Sequence, residues 1–164
     1  MRKLISSNPN EFSVPELLII SFLLTLFMTG IFAFPGFAFP TSNVLSHTYY
    51  RIRKPKVLKQ IYKTLGMKYF RVLLLILFWG RKSNQLKFFN GTKRGLDNFI
   101  HQTKQSEFGH LGAFLLITIS SVILLVYGYL FLVAMITFIN VFGNLYPIVL
   151  QRYHRLRIEK INIR

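Results

Sequence analysis

Charged residues vanish between Leu111 and Leu150, and the forty positions in that interval are mostly apolar. The run is about twice the roughly 20 residues that one helix needs to cross a bilayer, so it predicts two spans. The break belongs at Tyr127-Gly128-Tyr129, because Gly adopts turn conformations freely and tyrosine rings favour the headgroup level. A second apolar stretch, Val14 to Phe39, is interrupted only by Glu16 and a few hydroxyl residues, and Pro35 and Pro40 weaken its end. It predicts a further span. A cleaved signal peptide is the alternative, given Arg2 and Lys3 ahead of it and small residues near Gly36-Phe-Ala38. The apolar run exceeds a signal core in length, which favours an uncleaved anchor. Tyr69 to Trp79 is too short to span; bracketed by Arg71, Arg81 and Lys82, it predicts an interfacial or re-entrant helix.

Ahead of the long apolar run the period turns helical. Leu96, Phe99, Ile100, Thr103, Glu107 and His110 fall on one face. If the hairpin folds about Gly128, positions equally distant from it share a depth, so His110 lies level with about Tyr146 and Glu107 with about Val149. The ends Glu107/His110 and Asn144/Gln151/Arg152 then meet at one membrane face. The expected fold is all-α and polytopic, a single membrane domain with three transmembrane helices, the last two a tight hairpin. Its parts are an anchor (14–39), a basic loop (41–107) holding the interfacial or re-entrant helix, the hairpin (108–150) and a basic tail (151–164).

Composition agrees with this class: 52% of the residues are hydrophobic, Phe occurs 17 times and the mean hydropathy is +0.40. The net charge of +16, from 21 Lys and Arg against 5 Asp and Glu, sharpens the topology. Fourteen of the cations fall between Thr41 and Lys104 and five follow Leu150, which places loop and tail in the cytoplasm and the Gly128 turn outside. The cluster Arg51-Ile-Arg53-Lys54-Pro-Lys56 reads as charge facing lipid headgroups. No nucleic-acid motif accompanies the basic residues, so the expected partner is the bilayer and not a nucleic acid. Cys is absent, which excludes disulfides, thiolate metal sites and a cysteine nucleophile. Asn90-Gly91 signals a turn; Asn90-Gly91-Thr92 fits the glycosylation pattern, on a loop placed inside.

Chemistry concentrates at the hairpin's polar ends. Glu107 and His110, at i and i+3, are neighbours on a helix, so the carboxylate could orient an imidazole acting as general base. The alternative is an interfacial acid and imidazole that simply face headgroups. One Glu-x-x-His copy does not make a di-metal site, and no metal is expected. Asn140 and Asn144 are one turn apart in the last span, where unpaired amides are costly; they read as a structural clasp or as holders of a polar substrate group. Pro147 should kink the helix beside Asn144. Gln151-Arg152-Tyr153-His154-Arg155-Leu156-Arg157 reads as a positive anchor, or as planar donors for phosphate.

Two motifs carry a family resemblance. Thr103-Lys104-x-x-Glu107-x-x-His110, followed by Asn144-x-x-Pro147-Ile148-x-x-Gln151-Arg152-Tyr153-x-Arg155-x-Arg157, resembles the glycosyl-4,4'-diaponeurosporenoate acyltransferase family, from about Trp79 onward. His154 stands where that family is expected to carry Asn, and Trp79-Gly-Arg81-Lys82 matches its basic-aromatic segment only loosely. The resemblance implies a bacterial cell-membrane enzyme that esterifies the sugar of a glycosylated C30 carotenoid with a fatty acyl group. Acyl transfer needs a base for the acceptor hydroxyl, and the Glu107/His110 pair is assigned to it, with His110 as base and Glu107 as its orienter. Thr103, Asn144, Gln151, Arg152, Tyr153, Arg155 and Arg157 become candidates for substrate, oxyanion and donor-phosphate contacts. No bound cofactor is expected; an acyl-CoA or similar acyl donor is the co-substrate, and a lipophilic glycoconjugate is the acceptor. No Ser occupies a nucleophile-elbow context, so direct transfer is favoured over an acyl-enzyme. The alternative from another class is a non-catalytic membrane scaffold that binds a partner of a lipid or pigment pathway.

Overall fold

The computed structural model describes residues 11–79 and 92–162. Arg2 and Lys3, the stretch Gly80-Arg81-Lys82, and the Asn90-Gly91 turn with its glycosylation pattern lie outside those residues. Helix α1 (Val14–Ala38) begins at a capping box, in which the Ser13 backbone N–H donates to the Glu16 carboxylate at 2.8 Å. It carries Pro35 inside its last turns and stops before Pro40. A 3₁₀ turn (Thr41–Asn43), α2 (His47–Tyr50), α3 (Pro55–Thr64) and α4 (Met67–Leu74), which runs into a π turn, make up the basic loop. Helix α5 (Lys93–Val126) follows, then α6 (Leu130–Asn140), a π turn (Val141–Leu145) and α7 (Tyr146–Asn162). No strand occurs among the described residues.

Three segments are long and apolar enough to cross a membrane: Val14–Gly36, Gly95–Val126 and Leu130–Lys160. The hairpin turns where the apolar run was expected to break. Gly128 has φ 82, a left-handed conformation that an L side chain resists, and Tyr129 beside it is buried. The three long helices pack around Leu17 and Met28 of α1, Ala113, Ile117 and Leu124 of α5, and Leu132 and Ile136 of α6. Outward-facing residues are large and apolar, among them Phe27, Phe34, Val126 and Leu130, as a lipid-facing surface requires. Helices α1 and α5 approach closely at Gly112: a Cβ there would stand 2.2 Å from the Phe32 ring, so only a hydrogen leaves room for that ring.

The loop folds back onto the polar end of the hairpin. Tyr62 of α3 stacks on Tyr153 of α7 with ring centroids 3.8 Å apart, and the Tyr146 hydroxyl donates to the Leu65 carbonyl at 3.0 Å. Met67 is fully buried against Val149 and Leu150. In α4 the outward residues Tyr69, Val72 and Leu73 are exposed while Phe70 and Leu74 face that cluster, so the helix is amphipathic. The end of α1 is tied to α5 by Gln105, whose side-chain amide donates to the carbonyls of Gly36 (3.4 Å) and Phe39 (3.2 Å). Pro40 has no N–H to offer Gly36, which leaves that carbonyl to the glutamine.

Candidate active site

Two polar layers sit one helical turn apart where α1, α5 and α7 converge. The outer layer is ionic. Glu107 of α5 is fully buried, and its two carboxylate oxygens are taken by two arginines of α7: Arg152 Nε donates to Oε1 at 2.7 Å, and Arg155 Nη2 donates to Oε2. Arg155 is itself buried, and its Nη1 donates to the Thr103 hydroxyl at 3.4 Å. A buried carboxylate is tolerable only when paired in this way. The loop closes the layer from outside. Arg152 lies over the Tyr49 ring at 4.8 Å and Arg155 over the Tyr50 ring at 5.3 Å, while the Tyr50 hydroxyl donates to the Lys104 carbonyl at 3.2 Å. Burial, with the Glu107 carboxylate nearby, pushes the Tyr50 phenol up to about 12 and also raises that of Tyr49, so both rings stay neutral donors.

The inner layer is neutral. His110 Nδ1 lies 3.0 Å from Asn144 Oδ1. The amide orientation is set by its other contacts, because Asn144 Nδ2 donates to Asn140 Oδ1 at 2.9 Å and to Thr29 Oγ1 of α1 at 3.2 Å. Asn140 Nδ2 in turn donates to the Phe114 carbonyl (3.2 Å) and to Thr118 Oγ1 (3.4 Å). With both Nδ2 hydrogens engaged, the Asn144 oxygen is an acceptor only. The imidazole therefore carries its hydrogen on Nδ1, and a neutral ring keeps its lone pair on Nε2.

Local sequence explains why α6 loosens at this layer. Pro147 has no N–H for the carbonyl four residues back, that of Gly143, and the helix widens there into the π turn Val141–Leu145. The Gly143 carbonyl lies beside the His110 ring. The kink expected from Pro147 next to Asn144 thus takes the form of a π turn.

The predicted residues divide among these surroundings. Thr103, Glu107, Arg152 and Arg155 meet in the outer layer, and His110 and Asn144 in the inner one. Gln151 donates to the Ser106 hydroxyl at 3.1 Å, one turn before His110. Tyr153 belongs to the stack with Tyr62, and Arg157 is exposed. One expected pairing is corrected. Glu107 does not orient His110; the two arginines hold both of its oxygens, and Asn144 is the imidazole's partner. Asn144 consequently has no free donor for an oxyanion or a sugar, and Arg155 is buried against Glu107 and Thr103 instead of facing a phosphate. Thr29, Tyr49 and Tyr50 are the participants that sequence reasoning missed. Their only sequence signals are a hydroxyl in an apolar run for Thr29, shared with Thr25, and aromatics beside a basic cluster for the tyrosines.

Comparison with known proteins places this geometry in a family. The sequence profile of the family described as glycosyl-4,4'-diaponeurosporenoate acyltransferase matches residues 46–164 of the 164. The match begins at Ser46, so it takes in the tyrosines and basic cluster of the loop as well as both helices of the hairpin. No curated protein and no solved structure matches the chain. With well over half its length matched, the chain belongs to that family, and it is an acyltransferase.

Proposed function

We propose that this member of the glycosyl-4,4'-diaponeurosporenoate acyltransferase family esterifies a hydroxyl of a lipid-soluble glycoconjugate, a glycosylated carotenoid, with a fatty acyl group at the inner leaflet. His110 is the general base. The observation that carries this reading is the Nδ1–Oδ1 contact of 3.0 Å between His110 and Asn144, which leaves Nε2 as the proton acceptor. Nε2 takes the proton of the acceptor hydroxyl as its oxygen attacks the acyl carbonyl of a thioester. The tetrahedral intermediate then collapses: the carbon–sulfur bond breaks, and the imidazolium returns its proton to the departing thiolate. Ester and free thiol are the products, and no covalent enzyme intermediate is formed. The Gly143 carbonyl, a partial negative charge beside the ring, suits the transient imidazolium. Asn144 is a positioning residue in this scheme, held by Asn140 and Thr29. Gln151, one turn from His110 through Ser106, is the candidate donor to the oxyanion.

The site's depth supports a lipophilic acceptor. His110 lies inside an apolar helix at its polar end, where a sugar at headgroup level would meet the imidazole while the carotenoid tail stays among acyl chains. The basic loop and tail, which favour the cytoplasmic side, support the inner leaflet. The test uses the full chain in lipid nanodiscs with a glycosylated carotenoid and a labelled fatty acyl thioester. Transfer of label by the wild type and its loss in His110→Ala are expected. Transfer that survives His110→Ala would remove the assigned base, and no transfer to any glycolipid would remove the acceptor class.

A further inference from the structure

The loop cluster read from sequence as headgroup-facing charge lines a groove that ends at the ionic layer. Arg51, Arg53 and Lys54 line it from the loop, Arg152 from α7, and Val57 and Ile61 supply an apolar wall from α3. The groove holds about 690 Å³, and none of the described residues that line it is acidic. That volume lies in the range of small-molecule pockets. Arg152 belongs both to the groove and to the Glu107 pair, with a third of its side chain (34%) exposed. Arg152 thus joins the groove to Glu107, which stands three residues before His110 on α5. Ser46, which also lines the groove, accepts from the Tyr49 backbone N–H at 3.2 Å and fixes the start of α2.

We propose that this groove binds the nucleotide end of a coenzyme A thioester, with Arg51, Arg53, Lys54 and Arg152 on its phosphates and the Val57/Ile61 wall against its base or pantetheine arm. Charge complementarity selects this occupant. A phosphate monoester carries roughly two negative charges and a bridging diphosphate about two more, which suits four cationic side chains, whereas a carrier protein's arm offers one phosphodiester. Cationic side chains around phosphate oxygens form charge-assisted hydrogen bonds, with arginine able to bond bidentately. The proposal rests on the acyl-transfer reading above, and supplies its donor site.

Equilibrium binding of the non-reactive thioether S-hexadecyl-coenzyme A to the full chain in zwitterionic nanodiscs tests it. Wild type and His110→Gln should bind alike, because the imidazole is not part of the groove. The triple variant Arg51→Gln/Arg53→Gln/Lys54→Gln should bind roughly tenfold or more weakly. S-hexadecyl-pantetheine, which lacks the phosphates, should bind wild type as poorly as the triple variant binds the full probe. Equal binding by wild type and triple variant, or equal binding of both probes, overturns the proposal. So does a loss confined to discs that contain phosphatidylglycerol, which would assign the cluster to lipid headgroups. Transfer assays keep the two readings separate. A wild type that binds the probe but acylates no glycolipid fails the acceptor reading alone. A triple variant with an unchanged KM for acyl-coenzyme A fails the donor groove alone.

Discussion

Glu107 and His110 are three residues apart on one helix, yet they live in opposite kinds of surroundings. Around Glu107 the partners are charged and the carboxylate's two oxygens are both occupied by arginines. Around His110 the partners are neutral, the Asn144 amide and the Gly143 carbonyl. In the ionic layer both carboxylate oxygens are committed to tying α5 to α7, while Arg152 still reaches the loop groove. The neutral layer holds the imidazole through Asn144, and the proposed mechanism gives its other nitrogen the acceptor proton. The proposed mechanism accordingly assigns proton transfer to the imidazole and a structural role to the buried acid.

The contrast is broken most forcefully by changing the two residues separately. His110→Gln should lower turnover by roughly 10²–10⁴-fold while leaving the thermal midpoint in detergent unchanged. A large fall in that midpoint would make His110 a structural residue like its neighbour. Glu107→Gln should do the reverse, destabilising by about 3–5 kcal/mol, because Arg155 is left buried without its counter-charge. Adding Arg155→Met should restore much of the loss. If the double variant melts no higher than the single one, the ion pair is not what the carboxylate supplies.

Smaller changes sharpen the same division. Gly112→Val places a side chain into the Phe32 ring and should cost about 1–3 kcal/mol of stability, relieved by Phe32→Ala. No relief would mean that α1 is not seated by this contact, and with it the placement of Thr29 against Asn144. Tyr62→Ala removes the stack on Tyr153 and should cost about 0.5–1.5 kcal/mol, with turnover at saturating substrate retained. A fall in saturated turnover comparable to that of His110→Gln would move Tyr153 from scaffold to active site.

The hairpin was legible in the sequence because its signals are local. An uncharged run twice the length of a span, a glycine between tyrosines and a polar segment at each end fix the turn, and the turn fixes which residues share a depth. Depth is not azimuth, however. The i,i+3 spacing makes Glu107 and His110 neighbours, but whether they touch depends on what other helices present to each. A buried carboxylate is far costlier to leave unpaired than a neutral imidazole, so the arginines across the hairpin claim Glu107. The imidazole is left to the amide that Pro147 and the π turn bring to it. Thr29 was not legible at all, since nothing within α1 distinguishes it from Thr25, whose hydroxyl bonds back to the Ser21 carbonyl of its own helix. The family resemblance located both motifs, and it could not say which side chain of each reaches which of the other.

The most direct test of Asn144 acting through His110 is a double-mutant cycle on the saturated rate of acyl transfer, with His110→Gln, Asn144→Ala and the pair combined. The expected result is that Asn144→Ala slows the wild type by roughly tenfold or more yet leaves the rate of His110→Gln unchanged. Two losses that multiply in the combined variant would show the amide and the imidazole working independently, and would contradict the pairing at the centre of the site.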